Sequence, residues 1–189
     1  PIKDLQLQKI AYLPMGDVPG EVFYKTLRQY TAVKKIESQN LDTVLTELKA
    51  FSTVIIGFHK SDDSPWKSYE FSNKELVWLQ EISRKHKVIL VVFAKPYALN
   101  SIESFLNIES VLLAYQNHKI SQRIAAQIVF GALPTKGKLP VSINDSPYKV
   151  GFGVENPSLG RLAYGAAEAV GMSSKRLMKL DSMAQLSID

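Results

Sequence analysis

Thr53-Val54-Ile55-Ile56-Gly57-Phe58 and Val88-Ile89-Leu90-Val91-Val92-Phe93 decide the fold. Both runs are short, β-branched and almost wholly apolar. A strand with one face in water alternates apolar and polar residues. These do not, so both of their faces must be buried, as in a parallel sheet covered by helices on each side. Further strands are predicted at Ile10-Ala11-Tyr12-Leu13, at 32–36 and at Val111-Leu112-Leu113-Ala114-Tyr115. Between them the period changes from two to 3.6. Phe23, Leu27 and Tyr30 share one helical face, and Leu41, Leu45 and Leu48 share another. Ser72 and Glu75 have the spacing of a capping box, and Phe71 and Leu76 flank it as a hydrophobic staple. Asn117 reads as the N-cap of a last core helix, with Ile120, Ile124 and Ile128 on one face and Gly131 just past its end. Strands alternating with helices at this spacing imply a doubly wound, flavodoxin-like α/β/α sandwich with right-handed crossovers.

Composition narrows the function classes. The 189 residues are 46% hydrophobic and 22% charged, ordinary values for a globular chain long enough to bury a sizeable core. There is no cysteine, so disulfides and cysteine-based metal sites are excluded. The net charge is +5, but its local runs, Lys34-Lys35 and Arg84-Lys85-His86-Lys87, abut apolar stretches and read as solvated faces rather than a nucleic-acid patch. No apolar stretch approaches the ~20 residues that span a bilayer. No basic-then-apolar leader opens the chain, which starts at Pro1 and ends in mid-pattern at Ser187-Ile188-Asp189. The expectation is a segment of a longer polypeptide: a core at 1–155, a linker at 156–170, and at 171–189 the first helix of a following domain. Leu177, Leu180, Ala184 and Ile188 share a face of that helix.

Ligands of open α/β sheets sit at the carboxyl ends of the strands. The loops expected there are 15–20, 59–71, 94–100 and 115–119. The second is long and carries His59, Asp62, Asp63, Trp66, Lys67 and Tyr69. His59 with Asp62 and Asp63 lacks a second nearby histidine, so no metal site is expected. Ser64-Pro65-Trp66-Lys67 and Ser146-Pro147-Tyr148-Lys149 fit S-x-x-K, but each has proline in second place, in a loop, without a K-T-G partner. Gly151-Phe152-Gly153 does not extend to a dinucleotide fingerprint, because Asn156 stands where the third glycine is needed. A glycosidase requires two carboxyl groups across one bond, and spacing pairs none of Asp62, Asp63, Glu70 and Glu103. No catalytic residue, metal or cofactor is expected within the chain.

Phe93-Ala94-Lys95-Pro96-Tyr97-Ala98-Leu99 resembles the F-G-N-P-Y-A-L stretch in the C-terminal domain of family 3 glycoside hydrolases, of the bacterial β-N-acetylglucosaminidase type. The resemblance extends through Val111-Leu112-Leu113-Ala114-Tyr115, Ala125-Ala126-Gln127 and Phe130-Gly131-Ala132-Leu133-Pro134 to Gly137-Lys138-Leu139-Pro140-Val141-Ser142-Ile143, and so over about 5–155. Ala94 and Lys95 depart from it, standing where glycine and asparagine are usual. The stretch from Glu168 to Leu177 is similar to the opening of a β-lactamase-like serine hydrolase domain. The resemblance implies a sandwich of about six mostly parallel strands packed against a preceding (β/α)8 barrel, which in the family carries the catalytic aspartate. In the N-acetylglucosaminidase branch the acid/base His–Asp pair lies in a K-H-x-x-G-H-G-type barrel segment absent here, so no catalytic residue carries over. The implied role is a non-catalytic accessory domain that stabilises the barrel. Loops 59–71 and 94–100 would partly wall a carbohydrate site, with His59, Asp62, Asp63, Trp66, Lys95, Tyr97 and Asn117 nearest the substrate. The implied location is a bacterial periplasm or envelope, or secreted. A stand-alone flavodoxin-like ligand-binding module and a structural spacer between two hydrolase domains are the alternatives.

Overall fold

A computed structural model describes residues 1–61, 63 and 66–186. Asp62, Ser64, Pro65 and 187–189 lie outside the described residues. The sheet contains β1 (Ile10–Gly16), β2 (Val33–Lys35), β3 (Thr53–His59), β4 (Lys87–Phe93) and β5 (Ile108–Leu113), in the order β2-β1-β3-β4-β5 with every pair parallel. This is the flavodoxin-like strand order, with its topological switch between β1 and β3. Five strands take the place of the expected six or so: among the described residues none pairs with the outer edge of β5. The segment 135–156 folds on itself instead, through the antiparallel bridge Thr135–Asn156.

Strand alternation divides the core in two. Leu13, Ile56 and Leu90 face one layer, where α2 (Leu41–Leu48) adds Val44 and Leu48 and α3 (Asn73–Ser83) adds Leu79 and Ile82. Tyr12, Ile55 and Val91 face the other, where α1 (Glu21–Leu27) adds Phe23 and Leu27 and α4 (Lys119–Val129) adds Ala125, Ala126 and Val129. The predicted capping box forms. Ser72 Oγ accepts from Glu75 N–H at 3.3 Å, and Glu75 Oε2 accepts from Ser72 N–H at 2.8 Å.

Two expectations for α4 are corrected. Its N-cap is His118, whose Nδ1 accepts from Ile120 N–H; the Asn117 side chain points inward to other partners. Its buried face is the small one, Gln122, Ala125, Ala126 and Val129, whereas Ile120 and Ile124 are 64% and 41% exposed. The small face wins because α4 lies close against α1, where two alanines fit and a row of isoleucines would hold the helices apart. The isoleucine stripe therefore lies outside the sandwich.

Residues 156–164 lie against the α1/α4 layer. Arg161 Nη1 donates to Ile2 O and Phe130 O, Leu159 N–H donates to Gly131 O, and the buried Gln127 side chain binds both the N–H and the C=O of Tyr164. The Tyr164 ring meets Tyr30 edge-on. Beyond them α5 (Ser174–Leu186) presents Leu177 and Leu180 at the surface.

Candidate functional site

The carboxyl end of the sheet is occupied by an internal polar network. His59 closes β3 on the same face as Thr53, Ile55 and Gly57, and is fully buried. Gly57 makes its room: a Cβ there would lie 2.6 Å from His59 Nε2 and 2.9 Å from Tyr12 Cε2. The imidazole stacks on Phe93 at 4.5 Å and meets Phe23 edge-on.

A backbone group sets the direction of every proton in this network. Phe23 N–H can only donate, and it donates to Gln122 Oε1 at 2.9 Å. Gln122 Nε2 must then be the donor to Asn117 Oδ1, at 2.9 Å. Asn117 Oδ1 is thereby an acceptor, so at 2.7 Å it takes a proton from His59 Nδ1–H. The remaining ring nitrogen, Nε2, has a free lone pair and accepts the Tyr12 hydroxyl at 2.9 Å. The neutral ring is thus held as a single tautomer, protonated at Nδ1. Burial pushes its pKa down from 6.5 to about 4, and the Asn117 hydrogen bond only partly opposes that. Burial, followed by the charge of Glu21, raises the Tyr12 phenol far above its ordinary value.

Nearby, at the switch point, Asp17 Oδ1 accepts from Ser61 N–H at 3.0 Å and Asp17 Oδ2 lies 3.3 Å from Lys60 Nζ. Partial burial alone would raise the carboxyl pKa of Asp17, but these partners outweigh it and the net shift is downward. An ion pair and a buried histidine thus stand at the carboxyl ends of β1 and β3, where such folds hold ligands. Neither His59 nor Tyr12 is exposed to solvent in the closed fold.

The residues singled out from the sequence separate into groups. His59 and Asn117 meet inside the network. Lys95 and Tyr97 sit at the surface beyond β4 with Tyr69: Lys95 Nζ lies 5.5 Å from the Tyr69 ring, whose centroid is 6.4 Å from that of Tyr97. Asp63 accepts from Ser61 Oγ at 2.7 Å in the exposed loop, Trp66 is exposed there, and Asp62 lies outside the described residues. Among the described residues no group of three or more His, Asp or Glu side chains could hold a metal ion. Tyr12 and Gln122 are the network members that sequence reasoning missed. Their signal was present: a tyrosine inside a buried strand needs a partner for its hydroxyl, and a glutamine shared the helix face of Ala125, Ala126 and Val129.

Asn117→Leu should destabilise the fold by about 2 kcal/mol, because His59 Nδ1–H is left buried without an acceptor. Tyr12→Phe should cost about 1 kcal/mol, since it removes a donor and orphans only a lone pair. Urea unfolding of the two variants checks the order, which reverses if the network is assigned in the wrong direction.

One surface groove is apolar. Beside the free edge of β5, a groove of about 260 Å3 runs along α4, lined by Leu112, Leu113, Tyr115, Ile120, Ile124 and Ile128. Its walls are the isoleucine stripe left out of the core.

Neither a protein-family model nor a curated protein matches the chain. Among solved structures, a GH3 exo-β-xylosidase in complex with a xylobiose aziridine activity-based probe aligns with a TM-score of 0.57 and 11% identity, over 71% of this chain and 21% of its own. The β-glucoside phosphorylase BglX aligns over 67% of this chain and 24% of its own, with a TM-score of 0.40 and 12% identity. A CheY-like protein from Pseudomonas aeruginosa aligns over 68% of this chain and 99% of its own, at 0.35 and 14%. The first likeness establishes a shared α/β architecture. The chain spans about a fifth of the length of that enzyme.

Proposed function

We propose that this chain is a non-catalytic accessory domain of a family 3 β-glycosidase of the β-N-acetylglucosaminidase type, packed against a (β/α)8 barrel of the same polypeptide. The observation that carries this reading is the apolar flank. The core is closed on both faces of the sheet, yet Ile120 and Ile124 on α4 and Tyr115 just after β5 stand exposed together around one groove. Contiguous apolar surface of this kind marks a place where another protein surface sits. The family resemblance of 93–143 and the fold shared with part of a GH3 enzyme support the choice of partner. On this reading the domain contributes no reacting group. Its contribution to a sugar site would come from the Lys95–Tyr69–Tyr97 cluster and the Trp66 loop, which suit stacking on a pyranose face. On the same reading 156–170 connects to a following β-lactamase-like serine hydrolase domain that begins near 171, and the protein works in a bacterial envelope, periplasm or secreted fraction.

The test is hydrolysis of a chromogenic N-acetyl-β-glucosaminide by this chain, by the whole polypeptide that contains it, and by this chain mixed with the separately produced barrel. The expected result is no turnover by the chain alone, turnover by the whole polypeptide, and rescue on mixing that Ile120→Lys with Ile124→Lys abolishes without unfolding the domain. Robust turnover by the chain alone would overturn the reading.

A further inference from the structure

The buried network ends on the connection between β5 and α4, and that connection shapes the groove. Tyr115 stands there at φ 64°, a left-handed conformation that costs a bulky residue free energy and persists only where its surroundings impose it. Gln116 N–H donates to Ala114 O across it at 2.7 Å, and the Tyr115 hydroxyl reaches Lys138 O at 3.5 Å. Two residues on, the Asn117 side chain is pulled inward by His59 and Gln122. Tyr115 and the first turn of α4, with Ile120, are both walls of the groove.

We propose that His59 is an acid-released latch: in its neutral form it holds the 114–118 connection and the start of α4 in place, and its protonation frees them while the strands stay formed. The geometry supplies the trigger. When the connection opens and admits water, a proton taken up at Nε2 turns that nitrogen into a donor, and on reclosing the Tyr12 O–H facing it has no acceptor in an apolar surround. The added charge has no counter-ion. Towards His59, α1 brings Phe23, β4 brings Phe93, β1 brings the neutral Tyr12, and the β5–α4 side brings the uncharged Asn117 and Gln122. The neighbouring charges Asp17 and Lys60 neutralise each other, Glu21 is engaged with Lys35, and His118 is turned outward to cap α4. The strained connection is the element that yields, because β3 and β4 are locked by neighbours on both sides. The depressed pKa of His59, about 4, agrees with a site that resists protonation until it opens. If the groove docks another domain, as proposed above, acid would loosen that attachment; the latch itself does not depend on that reading.

Amide hydrogen exchange of the chain at pH 6.5 and 4.5, corrected for intrinsic rates, tests it. Protection of 114–123 should fall by about tenfold for each pH unit below 6.5 and should lie well below that of β3 and β4 at both pH values, because the segment opens without global unfolding. His59→Gln should remove this pH response. Equal protection of 114–123 at both pH values, or protection of 114–123 as high as that of β3 and β4, would overturn the latch. Should the variant fail to fold, nitrogen NMR of the unaltered protein decides: a single Nδ1–H tautomer titrating well below the ordinary imidazole range is expected, and a midpoint near 6.5 would overturn it.

Discussion

Gly16→Ala should destabilise this domain by about 4 kcal/mol or more, at the extreme of single substitutions. Two independent costs meet at this residue. Its φ is 102°, a conformation that L side chains rarely adopt and that costs about 1–3 kcal/mol when imposed. A Cβ there would also lie 1.9 Å from His59 O and 2.7 Å from His59 C, so the obstacle is backbone of β3 and cannot rotate aside. Moving β3 would displace His59 from Tyr12 and Asn117. Moving residue 16 would break Gly16 N–H to Glu75 Oε1 at 2.8 Å and Asp17 N–H to His59 O at 3.0 Å. Denaturant unfolding measures the loss, with Gly137→Ala as the control. At Gly137 an added Cβ meets nothing within 4 Å, so the change should stay within about 0.5 kcal/mol of neutral. A loss at Gly16 no larger than at Gly137 would mean that the β1–α1 turn is free to repack.

Legibility in the sequence followed how local each signal was. β3 and β4 are continuous apolar runs because both of their faces are buried, and burial on both faces leaves no polar positions to confuse the pattern. β5 is harder. It begins at Ile108, three residues before the predicted Val111, and ends at Leu113. As an edge strand it exposes Glu109 and Ser110, so its first half reads as loop. The α4 stripe misled for a related reason: isoleucines outweigh alanines in any hydrophobic pattern, but close helix packing selects by size. The network was the least legible part. His59 stands 47 residues from Tyr12 and 58 from Asn117, and no local spacing joins them. Their meeting follows only once the parallel register sets Gly16 beside His59 and His59 beside Phe93.

The second large effect is on acid stability, and its sign follows from that same burial. His59 has a pKa of about 4 in the fold against 6.5 in the unfolded chain, so between those values the unfolded state binds the proton and the folded state does not. Its contribution is complete above pH 6.5, falls by about 1.4 kcal/mol for each unit as the pH drops, and is exhausted near pH 4. The total is about 3 kcal/mol, a large share of the 5–15 kcal/mol that holds a typical domain together. Asp17 acts in the same direction at lower pH, since its carboxyl is held below the ordinary range, but its exposure keeps that share small. Urea midpoints taken from pH 7 to 4 should therefore decline steeply below 6.5, and in His59→Gln the decline should be nearly flat over that window. Asn117→Asp provides the converse. A carboxylate 2.7 Å from His59 Nδ1 would favour the imidazolium, move the titration of His59 upward and reduce the acid sensitivity. If the unaltered chain kept its stability from pH 6.5 to 4, the imidazole would have to be hydrated or paired with an anion in solution. The closed ring of donors and acceptors around it would then not describe the protein in water.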